Sequence, residues 1–330
     1  MACGASLWHL AAMEPVVSLE ASLPAELRLP STRITPIGAG LSGAGVHRVE
    51  AAGRTFVLKL SGQDVPLADW QRRVDIQKLA AKAGLAPAVV HVDEPTRAVV
   101  SAFVVDRSIF AHYGDPRTRE AALAQFGQTI RRVHDLPMPP HASFRDPREL
   151  LASIAAEARA ASFAQPRFVE DAIGRMLGDD GPVCERPIVL SHNDVNPTNL
   201  VHDGERLLLL DWETAGPNEP FYDLAAISVF LRMDSATSEK LLAAYDGVPA
   251  CNLPARFGYN RRLLATLCGS IFLRVARQSG HAGATGEEAL EGTPSLGDLY
   301  QRMRSGSLSV ATAEGQWWFG LALLKESFVL

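Results

Sequence analysis

The chain has 330 residues, 47% of them hydrophobic, with a formal net charge of −5. That length accommodates about two domains with a core each, and the acidic balance argues against a nucleic-acid binder, which needs a basic face for phosphates. No apolar run reaches the roughly 18 residues of a membrane span. The cysteines at 3, 184, 251 and 268 are far apart and match no metal or redox spacing, which reads as free thiols in a cytoplasmic protein.

In chain order, residues 1–31 read as a partly disordered leader. MACGASLWHLAAM has neither a basic n-region nor a convincing cleavage site, and Met13 is an alternative start. From residue 32 a strand-rich region begins. Gly38, Gly40, Gly43 and Gly45 precede a strand, an Ala52-Gly53 turn and an apolar strand carrying Lys59. Such glycines let backbone approach anionic oxygens, with Ser42 adding a hydroxyl, although the spacing also fits a plain flexible hairpin. Lys59 interrupts Val57, Leu58 and Leu60. In a buried strand its ammonium needs a partner, which a bound phosphate would supply; the other reading is an edge strand with the lysine in water. A helix over Asp69 to Ala83 is stopped by Gly84 and Pro87, and strands follow at Ala88 to Val92 and Arg97 to Val100. Leu123, Phe126, Ile130 and Val133 mark a helix over Arg117 to His134, and further helices run from Leu150 to Leu177 with a break at Pro166.

The stretch Ile188 to Asp223 carries the chemistry. A short apolar strand delivers His192, Asp194 and Asn199 on one loop in the pattern HxDxxxxN. An Asp203-Gly204 turn reverses the chain into Leu207 to Leu210, a strand that ends at Asp211. A hairpin that brings Asn199 and Asp211 together offers oxygen ligands to Mg²⁺, while Asp194 accepts the proton of a substrate hydroxyl. The bland alternative is that Asp194 caps a turn, Asn199 satisfies loop backbone and Asp211 ends a strand. A helix then runs from Asp223 to Met233, where Asp223 serves as a cap and a brace for the metal loop. Further on, Trp212, Tyr222, Tyr300, Trp317 and Trp318 are candidate faces for a substrate cation, with Glu213 or Glu219 adding charge attraction. Trp317, Leu321 and Leu324 share helical spacing, so packing of the last helix accounts for them equally well. Gly280 to Pro294 reads as a loop.

Together these residues make the chain resemble the aminoglycoside phosphotransferase and choline kinase superfamily over about residues 32 to 320. HND, NL and DWE with Ala215, Gly216 and Asp223 are most similar to its bacterial choline kinase and thiamine kinase branch. The resemblance implies an α+β, protein-kinase-like, two-lobed fold: a small β-rich nucleotide-binding lobe over 32–103 and a larger, mainly helical catalytic lobe over 104–330. It implies Asp194 as catalytic base, Asn199 and Asp211 as magnesium ligands, Lys59 on the phosphates of ATP, His192 as a structural residue and Glu213 as a second acidic group near the metals. Ala102 and Val104 would lie at the hinge beside an adenine edge. These kinases usually carry a glutamate on the first helix to pair with the lysine. This chain has Arg73 near that place and Asp75 as the nearest acid.

The expected function is ATP- and Mg²⁺-dependent phosphoryl transfer to a hydroxyl of a small cationic metabolite, choline or another amino alcohol first. Thiamine or an aminoglycoside is the alternative acceptor, and a nucleotide-binding pseudokinase is the alternative class. Neither nucleic acid nor membrane is an expected partner, and oligomeric state, ATP against GTP and the acceptor itself are left open.

Overall fold

The computed structural model describes residues 19–37, 45–140, 142 and 146–330. Gly38, Gly40, Ser42 and Gly43 of the glycine-rich segment, and most of the leader, therefore lie outside the described residues. By contacts the chain divides into two units, one through Trp70 together with Ala88–Phe103, the other Gln71–Pro87 with Val104–Leu330.

In the first unit, β1 (Arg33–Pro36), β2 (Gly45–Ala51) and β3 (Arg54–Leu60) run antiparallel, and helix α1 (Leu67–Lys82) begins before β4 (Val89–Asp93) and β5 (Ala98–Ala102) complete a five-stranded sheet in the order β1-β2-β3-β5-β4. Ala52 and Gly53, both at positive φ, form the two-residue reversal that matches strand twist. One face of the sheet buries Val49, Phe56, Leu58, Ala98 and Val100 with Leu23 and Leu27. Lys59 sits on the opposite face of β3, across from Val46 and Val99. β3 is the middle strand, so the edge-strand reading of Lys59 does not hold. β5 starts one residue later than the pattern indicates because Arg97 has φ 53° and belongs to the preceding turn.

The second unit takes α1 from Gln71 onward, where Ile76 and Ala80 enter the main core with Leu85 and Ala86. Residues 71–87 thus pack with the larger unit, unlike the linear division at residue 103. After α1 come α2 (Ile109–Gly114), α3 (Arg119–His134), α4 (Pro147–Ala160) and α5 (Arg167–Gly178). Asp146 caps α4 by accepting from Arg148 N–H at 2.8 Å, with Pro147 at the first helical position. Next are β6 (Val189–Ser191), β7 (Leu200–His202), β8 (Leu207–Leu209) and β9 (Gly216–Asn218), paired as β6 with β9 and β7 with β8. The chain ends in α6 (Phe221–Phe230), α7 (Ser235–Asp246), α8 (Ala255–Gln278), α9 (Leu296–Arg304) and α10 (Ala313–Glu326). The protein is thus α+β, with a small antiparallel sheet and a larger helical part. The 24-residue α8 escapes a reading by periodicity because it buries residues on several faces and so presents no single apolar stripe. Among the described residues no helix is long and apolar enough to cross a membrane.

Helices α3 and α7 pack closely. At Gly127 a Cβ would fall 2.7 Å from Tyr245 N and 2.8 Å from Leu241 O, so only glycine permits this approach, which puts His134 beside Tyr245. Gly127→Ala should cost about 1–3 kcal/mol in chemical denaturation through overpacking. Gly174→Ala in α5, where a Cβ meets nothing within 4 Å, should instead stabilise by about 0.5–1 kcal/mol through helix propensity.

Candidate active site

Two strand pairs hold two loops side by side. Between β6 and β7 run His192, Asn193, Asp194, Asn196 and Asn199, and between β8 and β9 run Asp211, Trp212 and Glu213. The β7–β8 reversal is closed by Asp203, whose Oδ1 accepts from Glu205 N–H at 2.9 Å and Arg206 N–H at 2.7 Å, with Gly204 at φ 112°.

The backbone of Leu210 is gripped from both sides. Its N–H donates to Asn199 O at 2.8 Å, and its carbonyl lies 2.9 Å from His192 Nε2. A carbonyl only accepts, so His192 carries its proton on Nε2. The ring is fully buried and lies edge-on to Trp212 at 4.8 Å. Asp211 follows at φ 60°, ψ 72°, a left-handed conformation that few non-glycine residues adopt.

Asp194 Oδ1 accepts from Asn196 Nδ2 at 2.9 Å and Oδ2 from Asn199 Nδ2 at 2.8 Å. Burial pushes the Asp194 carboxyl above its ordinary range; His192 and the two amides oppose the rise, and the charge of Asp211 adds to it. The structure therefore brings Asp194, Asn199 and Asp211 together. Because the Asn199 amide nitrogen faces Asp194, its oxygen is the atom left for a hard cation. A carboxylate and an amide oxygen suit Mg²⁺, which keeps several waters and takes its other oxygens from phosphates. Two neighbouring carboxylates, one with a raised pKa, also fit a cation between them. No group of three or more His, Cys, Asp or Glu side chains forms a closed metal cage among the described residues.

Asp223, with no exposed surface, ties the loop to the helices. Its Oδ2 accepts from His192 N–H at 2.7 Å and lies 3.1 Å from His134 Nε2, and its Oδ1 accepts from Asn193 N–H at 2.9 Å. Burial works against its charge, yet the His134 hydrogen bond, the nearby imidazoles and the His192 N–H hold the carboxyl below its ordinary value. Its carboxylate thus braces the loop, while Pro220 occupies the N-cap of α6 without a side-chain cap bond. Asn193, at φ 64°, links the two loops: Nδ2 donates to Thr214 O at 3.1 Å, and Oδ1 accepts from Asn218 Nδ2 at 2.8 Å.

Several of these braces had no signal in the sequence. Asn193 and Asn196 are small polar residues in a loop, Asn218 ends the short strand β9, and Asp106, whose Oδ1 accepts from His202 N–H at 2.9 Å, lies 96 positions away. Cys268 of α8 feels the charge of Asp194: burial, with a contribution from that charge, pushes its thiol up to about 12, so it stays protonated.

The aromatic candidates are largely spent on packing. Trp212 is buried and donates Nε1–H to Leu209 O at 3.0 Å, and Tyr222 is buried in the same core. Trp317 is 1% exposed and stacks on His281, Trp318 donates to Glu314 at 2.6 Å, and Tyr300 donates to Phe230 O at 3.0 Å. Their faces or polar tips are engaged by the protein itself. The acids expected to attract a cation are also paired: Glu219 with Arg256 at 2.8 Å and with Asn260, Glu213 with Arg73 at 3.9 Å. Asp75 is exposed on α1. The Ala102 N–H, expected beside an adenine edge, donates to Ala88 O at 2.8 Å, and Val104 begins the second segment of the larger unit.

Two predictions follow from the opposed environments of the carboxylates. Asp223→Ala leaves two buried N–H groups without acceptors and should destabilise by roughly 2–4 kcal/mol. A depressed carboxyl contributes stability above its unfolded value near 4 and loses it as pH falls through its lower folded value. The melting-temperature gap between wild type and Asp223→Asn should therefore close as pH is lowered through about 4. Asp194 is disfavoured as a buried anion, so Asp194→Asn should melt at or above the wild-type temperature near pH 7.

The comparisons with known proteins agree with this geometry. Residues 33–258 match the model of the phosphotransferase enzyme family. Protein LicA of Haemophilus influenzae is 35% identical over 54 residues, 16% of this chain and 20% of that protein, so the chain matches only a fifth of that relative's length. In fold, a choline/ethanolamine kinase family protein from Mesorhizobium loti aligns over 89% of this chain and 92% of its own at 18% identity and TM-score 0.57. An aminoglycoside-3′-phosphotransferase of type VIII aligns over 73% and 95% at 20% identity and TM-score 0.54. With more than half of its length matched by the family model and its aspartates and asparagine gathered on paired loops, the chain belongs to the phosphotransferase enzyme family.

Proposed function

We propose that the protein is a nucleotide- and magnesium-dependent kinase that transfers a phosphoryl group to a hydroxyl of a small cationic metabolite, with choline or another amino alcohol as first candidate. The observation that carries this reading is the convergence of Asp194, Asn199 and Asp211, with Asp194 held by two amide donors and its basicity raised by burial. A carboxylate of raised pKa is a better proton acceptor at neutral pH.

In this mechanism Asp194 orients the acceptor hydroxyl and takes its proton as the oxygen forms a bond to the γ-phosphorus; the bond from that phosphorus to the bridging oxygen breaks, and the nucleoside diphosphate leaves with the electron pair. Asn199 Oδ1 and Asp211 would hold magnesium, which supplies charge neutralisation to the phosphates when bound. Lys59 and the glycine-rich segment before β2 are assigned to the nucleotide phosphates. The amino-alcohol preference is supported by the likeness in fold to the choline/ethanolamine kinase family protein. The likeness to an aminoglycoside phosphotransferase keeps aminoglycosides in the test, since fold does not fix substrate.

The test is nucleotide turnover with Mg²⁺ and ATP or GTP against choline, ethanolamine, thiamine, aminoglycosides and small sugars. Turnover with an acceptor should fall by at least about 10³-fold in Asp194→Ala and in Asp211→Ala. Nucleotide binding without transfer to any acceptor would favour a pseudokinase instead.

A further inference from the structure

A cavity of about 290 Å³ opens where the connection from α6 to α7 meets α8 and the end of α10, with Val229, Arg232, Met233, Asp234, Arg261 and Glu326 on its lining. It lies at the last turn of α6, whereas Asp223 stands in the first, so it is separate from the paired loops. Its volume is at the lower end for a small-molecule site. Arg261 of α8 is 8% exposed and under-satisfied: Nη2 donates to Met233 O at 2.8 Å, but Nε is shielded from solvent with no acceptor, and Nη1 has none among the described residues. Burial pushes this guanidinium below its ordinary value, and the charges of Glu326 and Asp234 oppose the fall without cancelling it. A buried cation of this kind is costly unless something supplies its partner.

Of the two acids on the lining, Asp234 is spent on capping α7, its Oδ1 accepting from Thr237 N–H at 2.8 Å. Glu326 is partly buried, and its carboxylate has neither a hydrogen bond nor an ion pair among the described residues. Arg261 and Glu326 therefore feel each other's charge without touching. With two arginines against two acids the lining is balanced, which favours neither a bare anion nor a bare cation, and the buried Val229 and Met233 give it an apolar part. We propose that this cavity binds a small zwitterion, with a carboxylate or phosphate held by Arg261, an ammonium held by Glu326 and a short aliphatic chain between them against Val229 and Met233. Nη1 is the donor left for the anionic end, and the bond it forms is charge-assisted.

Isothermal titration calorimetry on the whole chain without nucleotide tests this, with β-alanine, γ-aminobutyrate and 5-aminovalerate as carboxylate probes, phosphoethanolamine as the phosphate probe, and acetate, inorganic phosphate and ethylammonium as single-charge controls. At least one zwitterion should bind about 10-fold or more tightly than its single-charge counterparts, the factor expected of one added hydrogen bond to a charged group. Which probes bind separates the carboxylate source from the phosphate source. Arg261→Gln should weaken zwitterion and anion alike, whereas Glu326→Gln should weaken the zwitterion about 10-fold and leave acetate and phosphate unaffected. Arg261→Gln also alters the bond to Met233 O, so Glu326→Gln, whose carboxylate has no protein partner to lose, keeps the test independent of folding. The proposal is overturned if no zwitterion binds at up to roughly 10 mM, if single-charge controls bind as tightly, or if Glu326→Gln changes nothing. Phosphoethanolamine binding that survives both cavity variants and disappears in Asp194→Ala belongs to the paired loops and counts against the phosphate source.

Discussion

Asp223 is the constraint on which the rest of the site depends. A fully buried carboxylate is tolerated only when its oxygens are occupied, and here they take two consecutive backbone N–H groups of the loop between β6 and β7 and the imidazole of His134. The same bonds that satisfy the charge fix the loop that carries Asp194. His134 in turn shares its other nitrogen with Tyr245 at 2.9 Å, so the loop is referred to α3, α6 and α7 together. Close packing of α3 on α7 at Gly127 is what lets the imidazole and the phenol meet.

A second set of bonds carries that order to the turn after β8. Leu210 is held through N–H by Asn199 O and through its carbonyl by His192, so the left-handed Asp211 emerges beside the loop that Asp223 has fixed. The two carboxylates of the site have opposite tendencies: Asp223 is held below its ordinary pKa by donors around it, whereas Asp194 is raised by burial and by its acidic neighbour. One environment stabilises an anion that never needs to react. The other keeps an anion at a cost in stability, which is consistent with the proton-accepting role proposed for it.

Much of this was legible in the sequence because it is local. The spacing of His192, Asp194 and Asn199 fits one loop, the Asp203-Gly204 reversal places Asp211 next to it, and the pattern of β3 marks Lys59 as a charge in an apolar strand. The helix after Pro166 and the stop after α1 follow from proline and glycine stereochemistry. The aromatic residues were legible only as large apolar groups. Whether Trp212 or Trp317 faces a ligand or a core depends on what packs over it, and both are covered.

The sequence by itself determined the elements of the chemistry: which carboxylates and amides share a loop, and that a hairpin returns a second acid to it. Tertiary structure alone decided how each is used. His134 reaches Asp223 across 89 positions and Arg73 reaches Glu213 from another helix, and no periodicity reports pairings at such separations. The physical reason is that turn geometry acts over a few bonds. The burial and charge neighbours that raise Asp194, lower Asp223 and engage Glu213 arise only once distant helices have closed around the loops.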